Sequence, residues 1–390
     1  MQKFFKNLEK IILVFLPFSV IFSIFFKYKF ELSIFGYLKE VLVSLVLFLS
    51  IINIKKFKFD NVKFFGLAFI IYSLLSLSFH DKISFEFLFQ VLKSEIFYMI
   101  VFICAITRRN NLDLKYFLKS FEVMLLIGIL IYIFDPSLFV NFGFRDDYST
   151  FYINQAPAFC QRIEASTLCR FQGLLEGPNK MGLLLSFYAF LNIQFYKRFN
   201  ILLFTSLAAL IFTFSRSSIL ALIFGLIFIF DYSKVKKIIF NHKYKILAIL
   251  LIMLALFFQN IDLFLKPTSS SEHLSKAIYG LEIYLQSPIF GQGLGFAGPA
   301  SRFLAQELIV ESHLISIMIN TGLVGLILFT GFYIQVLKSL YKNHKHLFGF
   351  WLGLLIPLNL LHSFESFVVS FLIMWITGRA INSKTYQEQK

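Results

Sequence analysis

Charge is scarce in this sequence. Only 15% of its 390 residues are Asp, Glu, Lys or Arg, against about 25% in soluble domains. That leaves too little polar surface to cover the apolar content, which excludes a water-soluble enzyme of this size. Three cysteines are too few for a disulfide framework, and neither a collagen-like nor a disordered chain fits the composition. Metal-ligand patterns are missing as well. No His-x-x-x-His pair falls on one helix, and no carboxylates cluster at ligand spacing.

What is present is apolar and aromatic. Hydrophobic residues make up 58% of the chain, aromatics 19%, and Phe alone accounts for 54 positions. Mean hydropathy is +0.75. A helix needs about 20 apolar residues to cross a bilayer, so twelve such helices use roughly 240 residues. Apolar runs separated by short polar breaks predict spans at 11–26, 37–54, 64–79, 84–106, 118–134 and 179–195. Six more follow at 200–214, 217–231, 245–261, 314–337, 346–361 and 363–378. The fold class is an all-α polytopic membrane protein, one integral membrane domain over 1–390. Aromatics scatter through every span and read as packing or lipid-facing residues.

The basic residues orient this layout. Net charge is +15, which in a soluble protein would suggest nucleic acid; here basic loops on the cytoplasmic side account for it. With the N-terminus inside, the inner segments hold 24 of the 37 Lys and Arg residues. Both termini are then cytoplasmic. The first span follows Lys3, Lys6 and Lys10 and has no small-residue cleavage site, so it is expected to stay. Two long loops, 135–178 and 262–313, fall outside. The second, which is also the larger, carries Pro267, serines at 269–271 and an amphipathic stretch from His273 to Leu285, predicted as a helix capped by the serines.

Arginine departs from this asymmetry. Lysine splits 20 inside to 8 elsewhere, yet five of nine arginines (Arg145, Arg162, Arg170, Arg216, Arg302) lie outside. Arginine suits bidentate phosphate binding. As a group they point to an anionic ligand, although loop ion pairs with Asp146, Asp147, Glu164 or Glu176 explain any single one equally well. Cys104 reads as inert packing. Cys160 and Cys169 share the first outer loop, where their spacing allows a disulfide without requiring it.

Four polar clusters sit at the predicted outer boundary. The first runs from Arg170 through Gly177-Pro178-Asn179, where Pro178 is ordinary helix punctuation and Asn179 a plausible cap. The second is Ser215-Arg216-Ser217-Ser218, a tight connection between apolar spans; an arginine at that depth needs a cavity or a partner. The third leads from Ser271-Glu272-His273 to Gly291-Gln292-Gly293-Leu294-Gly295. It follows no strand, so a nucleotide-binding reading fails and a tight backbone lining a cavity fits better. The fourth, Glu311-Ser312-His313, offers acid/base groups at the mouth of a span, or else an interfacial polar cap.

Taken in order, these motifs resemble the O-antigen polymerase/O-antigen ligase superfamily. The resemblance covers about residues 165–330. It runs from Arg-x-x-Gly and Gly-Pro-Asn through Ser-Arg-Ser and Pro-x-x-Gly-x-Gly-x-Gly to a polar pair before Gly322 and Gly325. The first five spans match in hydropathy alone. The resemblance implies a GT-C-like glycosyltransferase of about twelve transmembrane helices with a large penultimate periplasmic loop. Such an enzyme moves a glycan from an undecaprenyl diphosphate carrier to an acceptor hydroxyl at the periplasmic face of the bacterial inner membrane. It implies no metal and no cofactor. Partners would be the carrier-linked donor and acceptor and the bilayer, but no nucleic acid; a chain-length regulator stays open.

The ligase motif has His eleven residues before the first glycine, and that position here is Glu311. The Glu variant looks more like polymerases of O-antigen or capsule. A second departure is His273, where many relatives have Arg, so Arg170 or Arg302 is left to pair with Arg216 around the diphosphate. The resemblance therefore implies diphosphate or substrate contacts at Arg216, Arg170, His273, Arg302, Asn179 and Ser215. Glu311 is the expected base, its pKa raised by partial desolvation, with His313 orienting it or the two roles exchanged. An O-antigen ligase is the alternative within the family. A polysaccharide-unit flippase or other transporter is the alternative outside it, though repeat-related halves are lacking; a structural membrane protein is a third.

Overall fold

The computed structural model describes residues 2–32, 37–52, 59–80, 83–108, 112–145, 156–162, 169–196, 201–229, 267–304 and 308–382. Among these the protein is all-helical, with isolated bridges at Arg145–Ala158 and Arg162–Cys169 as its only β pairing. The helices are α1 Gln2–Ile24, α2 Leu38–Ile52, α3 Asn61–Ser76, α4 Phe85–Val91, α5 Phe97–Ile106, α6 Leu114–Phe134 and α7 Leu138–Asn141. They continue as α8 Pro178–Tyr196, α9 Ile201–Phe212, α10 Arg216–Ile227, α11 Pro267–Gln286, α12 His313–Asn343, α13 Lys345–Leu360 and α14 Phe367–Asn382. A π turn, Leu92–Ile96, joins α4 to α5.

Helices lie over every predicted span except 245–261, which falls outside the described residues. Five segments are long and apolar enough to cross a membrane: Phe4–Lys29, Asn61–Phe79, Phe85–Ile106, Leu114–Phe134 and His313–Asn343. Shorter apolar helices are α9, α10 and α14. At 12 residues each, α9 and α10 are about 18 Å long at 1.5 Å per residue, well short of a ~30 Å hydrocarbon core. The serine cap expected in the second long loop is corrected. Helix α11 already begins at Pro267, so Ser269–Ser271 lie inside its first turns, and proline is the residue that starts it.

Small residues set the closest packing. Ala221 and Gly225 on α10 face Gly349 and Gly353 on α13, so closely that a Cβ on Gly225 would stand 2.3 Å from the Gly349 carbonyl oxygen. Paired small-xxx-small stripes are how helices approach when there is no water to drive them together. The outermost helices in sequence also meet. Glu9 on α1 accepts hydrogen bonds from Arg379 Nε (3.1 Å) and Trp375 Nε1 (2.9 Å) on α14, all of it buried.

The longest helix is broken. At Gly322, φ 63° and ψ −163° leave the helical region inside α12. A break inside an apolar bundle strands backbone donors and acceptors, which must find partners. The glycine-rich loop supplies them. Gln292 N donates to Ile319 O (2.7 Å) and Gly293 N to Asn320 O (3.1 Å), while Leu323 N donates to Pro288 O (2.9 Å) and Val324 N to Ile289 O (3.3 Å). The Asn320 side chain finishes the seam, its Oδ1 accepting from Ala297 N and its Nδ2 donating to Ala297 O.

Gly322→Ala places a Cβ 2.3 Å from Ile289 O in backbone space reserved for glycine. It is expected to destabilise the protein by about 1–3 kcal/mol or more, read as a lower apparent Tm in detergent. An unchanged Tm would mean the seam is not needed for stability.

Candidate active site

The turn between α9 and α10 builds the first part of the site. Phe214 adopts a positive φ of 49°, an uncommon backbone state for a side chain of this size. Helix α9 therefore ends with its carbonyls turned toward the 169–177 segment. Arg170 receives them: Nε donates to Thr213 O (2.9 Å) and Nη2 to Phe214 O (3.5 Å). Nη2 also donates to Asn179 Oδ1 at 2.7 Å, so Asn179 positions a cation in addition to lying in the first turn of α8.

Arg216 opens α10, where the positive end of the helix dipole faces out. Ser215 precedes it and pairs with Ser218, Oγ to Oγ 2.9 Å, rather than capping the helix by a side-chain bond. Burial and the nearby Arg216 charge together pull the Arg170 guanidinium down to about 10. Two arginines and a helix N-terminus thus converge where an anion would relieve their repulsion. A shallow pocket lined by Tyr132, Phe139, Phe159 and Phe171 opens beside Arg170. Its rim is closed by the Cys160–Cys169 disulfide, Cα to Cα 5.2 Å, the bond the sequence left open.

Arg302 lies in the short 3-10 turn Pro299–Phe303, within electrostatic reach of Lys180 and Glu365. Lys180 Nζ sits 3.2 Å from Glu365 and 3.9 Å from Glu176. Glu176 thus pairs with a lysine, while Asp146, Asp147 and Glu164 lie outside the described residues. Lys180 is one residue beyond Asn179, so this charge-balanced group adjoins the arginine pair across the first turn of α8.

Glu311 and His313 are adjacent in sequence and separate in structure. Ser312 caps α12, its Oγ accepting from Ile315 N. Glu311 therefore precedes the helix and reaches α11, where it contacts His273 Nδ1 and pairs with Lys276 Nζ at 2.9 Å. His313 is the first helical residue and turns into the core. Its ring is 4.7 Å from His362, 5.3 Å from Phe364 and 5.5 Å from Tyr98. An orienting contact between Glu311 and His313 is thus replaced by one between Glu311 and His273.

The pKa expectation for Glu311 is corrected too. Burial pushes its carboxyl up, but hydrogen bonds and charge from His273 and Lys276 outweigh it and hold the carboxyl below its ordinary 4.5.

Several polar residues near the site were missed by sequence reasoning. Glu95, in the π turn, stands 3.5 Å from His362 Nε2, and both are buried. Among the described residues, the ring nitrogens of His313 and Tyr98 Oη find no hydrogen-bond partner. The only sequence signal was a π turn's worth of polar residues, Lys93-Ser94-Glu95, inside an apolar run. No group of three His, Cys, Asp or Glu side chains suited to a metal occurs among the described residues.

Residues 201–330 match the family model described as O-antigen ligase. That stretch contains α9, α10, the Arg216 turn, α11 and the break in α12. Comparison with curated proteins gives no match.

Because its pKa is lowered on folding, the Glu311 tie adds stability that is present above the ordinary carboxylate value and fades as pH falls through the lowered one. Helix α11 should stay protected from limited proteolysis at neutral pH and loosen only as pH falls below the ordinary carboxylate range. Glu311→Gln should be susceptible at neutral pH and show no acid step. An acid step of unchanged size in that variant would assign it to another group.

Proposed function

Because residues 201–330 match the family model described as O-antigen ligase, we propose that this chain polymerises undecaprenyl-diphosphate-linked repeat units of O-antigen or capsule at the periplasmic face of the inner membrane. The observation that carries the proposal is the convergence of Arg170 and Arg216 at the start of α10. A diphosphate is a good leaving group once its charge is neutralised, and two guanidiniums fixed beforehand do that without reorganisation. Asn179 holds Arg170 in place.

The reaction is a single displacement. The acceptor oxygen forms a bond to the anomeric carbon as the bond to the carrier phosphate breaks, and the diphosphate leaves with the electron pair. The anomeric centre inverts. The acceptor proton goes to Glu311, with His273 as its imidazole partner and Lys276 beside it. A carboxylate kept ionised is ready to accept a proton, and the acceptor's arrival must displace the lysine. No metal is assigned a role. The Cys160–Cys169 disulfide favours an oxidising compartment for the first long loop.

Polymerase is preferred to ligase because Glu311 stands where ligases have His. Deletion of the gene followed by surface-glycan electrophoresis separates the two. Loss of a polymerase leaves core plus one repeat unit; loss of a ligase leaves bare core while lipid-linked polymer accumulates.

Arg216→Ala should lower transfer by about 10²–10³-fold at normal membrane levels, and Arg216→Lys should recover only part, since an ammonium lacks the bidentate fork. Glu311→Gln should cost about 10²–10⁴-fold. Wild-type glycan from either the Arg216→Ala or the Glu311→Gln variant would remove that residue from the mechanism. Purified protein should keep its activity in EDTA; loss that Mg²⁺ or Mn²⁺ restores would refute the metal-free chemistry.

A further inference from the structure

Helix α11 has three faces rather than two. At 100° per residue, His273, Lys276, Gly280, Ile283 and Tyr284 share the side toward α12. Gly280 comes close enough there that an added Cβ would meet Val310 and Ile315. Ser275, Glu282 and Gln286 share a second, exposed polar side. Leu274, Ile278, Leu281 and Leu285 share the third, an arc of about 60°, and are 62%, 50%, 41% and 69% exposed. Protein and water account for two of these environments. An apolar ridge between them calls for a third.

The ridge has a continuation that identifies it. Beyond α11 come Ile289 and Phe290, each 56% exposed. Ile289 O accepts from Val324 N of α12, and Phe290 O accepts from the Tyr72 hydroxyl of α3. Around them stand the exposed apolar side chains Ile71 and Leu75 of α3 and Leu323 and Ile327 of α12. Both helices belong to segments long and apolar enough to cross a membrane. The ridge of α11 is thus followed in the chain by exposed apolar residues that are hydrogen-bonded to two of these helices.

We propose that α11 is a membrane-seated helix whose Leu274–Ile278–Leu281–Leu285 ridge is covered by bilayer hydrocarbon. It forms a convex row with a polar margin on one side, the arrangement of a helix lying at the edge of a leaflet. The second long loop is therefore anchored along α11 instead of standing free in water. Its opposite face carries His273 and Lys276 to Glu311, so the lipid surface fixes the level at which that carboxylate is held.

Spin labels test this without any catalytic readout, so the outcome is independent of the proposed reaction. Cys104 is buried and Cys160 and Cys169 are joined, leaving an introduced cysteine as the reactive thiol. Labelled Leu281→Cys and Glu282→Cys are compared in nanodiscs for collision with oxygen, which partitions into lipid, and with a water-soluble nickel chelate. Oxygen should relax the label at 281 more than nickel does, and the order should reverse at 282. Ile278→Cys repeats the test should Leu281→Cys fail to fold. Preferential nickel access at the ridge, or access by neither reagent because another protein surface covers it, would overturn the proposal.

Discussion

The path of the glycine loop and the meeting of α11 with α12 depend on one backbone constraint: a helix interrupted inside an apolar bundle must have its freed amides and carbonyls paired. In α12 the interruption at Gly322 is paired by the 288–293 backbone. The exchange fixes the path of the glycine loop and so the place where α11 ends. It also fixes the start of α12, from which Glu311 and His313 diverge. Gly291 has a positive φ where the two backbones meet, and a Cβ on it would stand 2.6 Å from Asn320 O, leaving no room for a side chain between them. Asn320 reinforces the seam from the side.

The arginine pair has a different foundation. Arg216 is held by α10, which is locked onto α13 through Ala221, Gly225, Gly349 and Gly353. Arg170 is held by the carbonyls at the end of α9 and by Asn179. The Arg216 charge lies within electrostatic reach of Arg170 and lowers its pKa, so an added anion would be favoured between them. By contrast, Lys180, Glu365, Arg302 and Glu176 balance one another and read as a support alongside it.

Hydropathy made the helices legible, because length and apolarity are local properties of the chain. The Arg216 turn was legible for the same reason: a charge between apolar runs is conspicuous. Pairing between elements was not. Nothing in the order of residues says that Arg170 comes within electrostatic reach of Arg216, since that depends on the fold of the 169–177 segment against α9. Spacing suggested that Glu311 and His313 act together. A helix cap at Ser312 sends them to opposite sides, and capping geometry changes direction within a single residue. Glu95 and His362 escaped notice because each sits in a short polar break of an otherwise apolar stretch, and only the packed bundle brings them together.

The tie between Glu9 and Arg379 joins residues 370 positions apart, and this has a bearing on how the protein is made. Until α14 inserts, Glu9 has Arg108, just beyond α5, within electrostatic reach; its hydrogen bonds from Trp375 and Arg379 come last. The first helix therefore gains its final contacts only when the far end of the chain has arrived, and assembly closes at the terminus opposite to where it begins.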